Sequence, residues 1–132
     1  MVRSFVRGII GIPCAAVVLL VLPGICRADS LSDARATVAK IKANIRQANT
    51  KIANQRDKII ATDLLIVVNE AAIAKAKKDG NQGDVIALRL VLVGLKAGRD
   101  NLVQEKQKWE RFLQNEQKVL PGWEAEVKRL GG

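Results

Sequence analysis

Histidine and tyrosine are absent from this chain of 132 residues, and aromatic side chains of any kind make up only 3% of it. Without histidine no hydroxyl is activated in the manner of a Ser-His-Asp triad, although Ser30, Ser32, Thr37, Thr50 and Thr62 are present. The two cysteines, Cys14 and Cys26, lie near the N-terminus, so beyond residue 28 there is neither thiolate nor imidazole for zinc. Acidic residues are scarce beside basic ones, 13 against 22, which leaves a net charge of +9. Hydrophobic residues nevertheless reach 48%, too many for a solvated, disordered polyelectrolyte. These absences point away from an enzyme and away from a metal or redox protein. No cofactor is expected.

What is present begins with an export pattern. Arg3 and Arg7 make a basic opening, Gly8 to Cys26 carries no charge, and Pro23-Gly24 breaks the run before Arg27-Ala28. Basic start, apolar middle and small-residue end describe a secretory signal peptide over residues 1–28, with cleavage after Ala28. An acylated Cys26 is the less favoured reading, because Ile25 is bulky where such processing wants a small residue. An uncleaved inner-membrane anchor is the other competitor. Its nineteen uncharged residues are about enough to span a bilayer, but Pro13 and Pro23-Gly24 shorten the usable helix. Cleavage removes both cysteines together with Arg3, Arg7 and Arg27, lowering the net charge from +9 to +6. The expected location is the periplasm or the cell exterior, for a protein without disulfides.

Residues 29–132 then read as a single helical domain. Leu31, Val38, Ile45, Ile52, Ile59, Ile66 and Ile73 keep an unbroken seven-residue step, the mark of a coiled-coil seam. The positions three residues further on are Ala34, Ile41, Ala48, Gln55, Thr62, Asn69 and Ala76, mostly small or polar. A partner helix can therefore approach closely, along an imperfectly apolar line. Ser30 to Asp33 has the spacing of a capping box, and neither Gly nor Pro intervenes before Lys78. The first helix is expected over 31–78, a turn over 79–84 with Gly80 as a left-handed cap, and a second helix over 85–120 capped by Asp84. Pro121-Gly122 is expected to end it, leaving a short terminal segment 121–132. So short a connection between long helices predicts an antiparallel hairpin, all-α and coiled-coil-like.

The charges agree with that folding. Pairing positions whose numbers sum to roughly 163 brings Glu105 near Lys58, Glu116 near Arg46 and Lys51, and Glu124 near Lys40. Asp63 falls beside Arg99, a pair expected to hold the hairpin in register, and Glu70 falls within a turn of Arg89. The half near the turn has more apolar residues than one partner helix can cover. Residues 59–68 and 85–95 are apolar on nearly every side, and a helix apolar all round is usually buried all round. Ile60, Leu64, Val67, Val68, Val85, Leu88, Leu92 and Leu95 are the expected interface to further copies of the chain, in a helical bundle.

Other features have plainer readings. Asp79, Asn81 and Asp84 suit a cap and turn better than a calcium loop, which needs more oxygen ligands and a bidentate Glu. Trp109, Phe112 and Leu113 lie at the helical spacing of a core seam. Stems of mixed sign without interleaved aromatics speak against nucleic acid. The expected role is an exported, non-catalytic scaffold or adaptor that self-associates and binds an envelope protein. The alternative is a cationic holdase or surface binder, in which Arg35, Lys40, Lys42, Arg46 and Lys51 attract anionic lipid or polymer. The hairpin itself is open to test: replacing the turn by a helix-continuing linker should abolish the native assembly, as read by particle mass.

Overall fold

The structure, a computed structural model, describes residues 30–132. The expected signal peptide, with its cleavage after Ala28, falls outside the described residues. Two helices, α1 (Leu31–Lys78) and α2 (Gln82–Arg129), pack against each other as an all-α hairpin. At the start of α1 the Ser30 hydroxyl accepts the Asp33 backbone N–H at 3.1 Å, satisfying a donor the helix cannot. Lys75, Lys77 and Lys78 occupy the last turn, where the helix dipole is negative. Gly80 stops α1 with φ of 74°, a conformation that costs other residues a Cβ clash. The Asn81 N–H then donates to the Ala76 carbonyl and the Gly80 N–H to that of Lys77, a Schellman closure. Gly131, with φ of 97°, closes α2 in the same way onto Val127 and Lys128.

Two expected boundaries are corrected. The turn spans only residues 79–81, and α2 starts at Gln82 rather than Val85. Asn81, not Asp84, is the cap: its side-chain oxygen accepts the Asp84 N–H at 3.2 Å, while its amide donates to the Asp84 carboxylate at 2.7 Å. Asp84 sits three residues beyond the cap, where a carboxylate faces the positive end of the helix dipole. The second correction is at Pro121, which lies inside α2 instead of ending it. Proline removes one helical bond, to the carbonyl four residues earlier. Both Pro121 and that residue, Gln117, are exposed, so water can take the freed carbonyl. The next turns are held by packing: Trp123 is buried against Ile41, with Val38, Ile45, Val119 and Leu120 around them.

The seam is regular in both helices. Alternating steps of three and four residues from Leu31 to Ala76 meet no exposed residue, and the same steps from Val85 to Leu130 meet none either. The second series escaped the sequence reading because Arg99, Lys106 and Glu116 occupy positions on it. Ala34 and Ala48 are fully buried, in keeping with the close approach that small seam residues allow.

The hairpin divides into two compact units, each built from both helices. One joins the described residues up to Ile45 with Gln114–Gly132 and holds the Ile41–Trp123 cluster. The other, Arg46–Leu113, contains the turn and a cluster of Ile73, Ala76 and Val85 backed by Leu88 and Leu92. If packing carries α2 past its proline, then Pro121→Ala should raise stability by about 1–3 kcal/mol. Urea unfolding at one fixed protein concentration measures this, and a loss of stability would contradict a helix through residue 121.

Candidate interaction surface

Within the unit that contains the turn, polar residues interrupt the seam while large apolar side chains stand outside it. Three alternate seam positions of α1 carry Gln55, Thr62 and Asn69, with Ile59 and Ile66 between them, and two seam positions of α2 carry Arg99 and Lys106. Asp63 accepts from Arg99 through Nε, and Arg99 Nη2 lies 3.4 Å from the other carboxylate oxygen. The adjacent carboxylate holds the Arg99 guanidinium above the ordinary arginine value, its hydrogen bond first and its charge second. Lys106 is turned to Glu110 on its own helix at 2.7 Å. Asn69 is buried, and its side-chain oxygen has no hydrogen-bond partner; the same holds for the Gln55 oxygen. The buried apolar cluster of this unit lies at its turn end, where Ile73, Ala76 and Val85 meet, with Ala48 and Ile52 buried at the far end.

The apolar residues missing from the seam are on the outside. Nine large hydrophobic side chains are 52–71% exposed, and all nine lie between Ile60 and Val93. On α1 they are Ile60, Leu64, Leu65, Val67 and Val68; on α2 they are Ile86, Leu90, Val91 and Val93. Of the residues expected to form the outer interface, Ile60, Leu64, Val67 and Val68 are thus exposed on α1. Val85, Leu88, Leu92 and Leu95 are not. Val85 is 3% exposed, and all four sit at seam positions facing α1. The outward residues of α2 are one or two positions away, and the sequence reading missed them. A run apolar at nearly every position has no period of its own. Only steps of three and four counted back from Trp123 or Trp109 would have told seam from surface.

The cationic residues are not gathered on one face. Arg35, Lys40 and Lys42 belong to one unit, Arg46 and Lys51 to the other. Lys42 pairs with Glu124 at 3.7 Å, both about half exposed, and Lys51 Nζ lies 6.0 Å from the centroid of the Trp109 ring. Trp109 in turn meets Phe112 edge to face, with centroids 5.7 Å apart. Arg35, Lys40 and Arg46 are exposed and form no ion pair among the described residues. Several pairings differ from those expected in detail. Glu124 takes Lys42 rather than Lys40, Glu116 accepts from the Asn44 amide at 3.0 Å, Glu70 takes Lys96 rather than Arg89, and Glu105 turns to Lys108. Antiparallel neighbours come within reach along a whole helical turn, so the numerical sum alone did not choose among adjacent lysines.

No group of three His, Cys, Asp or Glu side chains suited to a metal ion occurs among the described residues. The apolar outer surface is the feature that sets this molecule apart. Because the unpaired Asn69 oxygen weakens the seam, Asn69→Leu should stabilise the hairpin by about 1–2 kcal/mol, as measured by urea unfolding. In comparison with known proteins, the chain matches no family, no curated relative and no solved structure.

Proposed function

We propose that the protein is an exported, non-catalytic helix–helix assembly module, acting as a scaffold or adaptor in the cell envelope. Its turn-proximal half binds further copies of the chain, and its charged stem stays free for solvent or an envelope protein. One observation carries this reading: the nine exposed side chains between Ile60 and Val93. From their fractional exposure they present on the order of 1,000 Å² of apolar surface in two outward stripes of roughly 500 Å² each, the ~300–600 Å² size at which a monomer's largest patch is often functional. Removing that area from water is worth on the order of 25 kcal/mol before association costs are subtracted. Outward stripes on both helices favour a bundle over a single flat contact.

No helix among the described residues is long and apolar enough to cross a membrane. The second reading, a holdase or a binder of anionic lipid or polymer, draws on the free cations Arg35, Lys40 and Arg46. It requires binding that fades as salt screens the charges. Light scattering across a concentration series distinguishes the two. A stable dimer or larger species, with no binding to anionic vesicles at low salt, is the expected outcome. A folded monomer at every concentration, binding such vesicles only at low salt, would overturn self-assembly in favour of the cationic surface binder.

A further inference from the structure

The outer side of α1, facing away from α2, is complementary to its own reverse in size and charge. About a centre between Val67 and Val68, Leu64 mirrors Ala71 and Ala61 mirrors Ala74. Further out, Asp57 mirrors Lys78, and all of these residues are exposed. We infer that this face is a two-fold, antiparallel interface to a second copy of the chain, centred on Val67–Val68 and closed at each end by Asp57 of one copy against Lys78 of the other. The inference rests on the self-association reading above and adds to it a face, a direction and a register.

Shape and charge both support that register. Two antiparallel α1 helices crossing at residues 67–68 set each Leu64 over the other copy's Ala71, large against small, the alternation that lets helix surfaces interdigitate. Ile60 falls opposite Lys75, whose methylene stem covers apolar surface while its ammonium reaches water. Asp57 and Lys78 form no ion pair among the described residues. Within one chain they cannot meet, because 21 residues of helix set them about 31 Å apart. A parallel arrangement would instead bring Asp57 to Asp57 and Lys78 to Lys78, which like charges oppose. The like-charged mirror pair, Lys58 and Lys77, lies at the margins of the face, where both side chains stay in solvent. The two-fold also satisfies the rule that most homo-oligomers close by an isologous contact.

A charge swap tests the register in the full chain. Asp57→Lys and Lys78→Asp should each raise the dissociation constant about tenfold, since each reverses two contacts per dimer. The double variant D57K/K78D restores both pairs with their signs exchanged and should return the constant to within about threefold of the parent. Sedimentation equilibrium supplies the constants, and circular dichroism checks that each variant is helical. Asp57→Asn and Lys78→Gln form a milder series should a reversal disturb the helix. Association that ignores the single changes, or that the double variant fails to restore, overturns this register and leaves self-association standing. A parent chain that is monomeric throughout, or that associates only with vesicles, overturns both.

Discussion

Two antiparallel helices have one shared seam, and everything apolar that does not fit into it must face outward. In this chain the middle of the seam alternates Ile59, Ile66 and Leu102 with the polar residues Gln55, Thr62, Asn69, Arg99 and Lys106, whose places apolar side chains could have filled. At the same level of the hairpin Ile60, Leu64, Val67 and Val68 stand in solvent on α1. A surface stripe of leucine and valine beside a polar seam reverses the usual order of a soluble helix pair. That order is the one expected if the outer stripe is a contact surface, as we propose.

The polar seam also decides where the hairpin's own stability resides. Apolar packing is concentrated in the Ile41–Trp123 cluster of one unit and the Ile73–Ala76–Val85 cluster of the other. Between residues 55 and 69 of α1 the cross-helix ion pair is Asp63–Arg99, with both side chains partly exposed to water. Exposed pairs contribute little, because solvent screens them and two long side chains must be held still. Such a pair discriminates between registers better than it stabilises any one of them. A slip by one helical turn would leave Asp63 and Arg99 apart and would also pull Trp123 off Ile41.

Much of this was legible from residue spacing. The seven-residue step from Leu31 to Ile73 marks the observed seam of α1, and Gly80 is the left-handed cap its position suggested. The Asp63–Arg99 pair follows from simple antiparallel counting. The second helix was harder to read, for two separate reasons. Charged residues on its seam broke the apolar rhythm, and Pro121 looked like a terminus when only its own lost hydrogen bond was considered. Trp123, two residues further on, outweighs that loss by packing, and packing is a property of the partner helix rather than of the local sequence. The outer face of α2 was obscured for a related reason: in Val85 to Val93 nearly every position is apolar, so Ile86 and Leu90 cannot be told from Val85 and Leu88 without the register.

Self-association of the kind we propose would link folding and assembly through the same residues. Whatever covers the outer stripe binds the folded hairpin and not the unfolded chain, because the stripe exists only while α1 is helical over residues 57–78. By mass action that coverage adds to the stability of the folded form and makes it depend on protein concentration. The gain falls where the seam is poorest, beside Gln55, Thr62 and Asn69. A polar seam that would be a weakness in a solitary hairpin thus has a consequence in an assembled one. If the outer faces are covered, as we propose, that coverage would offset part of what Gln55, Thr62 and Asn69 withhold from the seam.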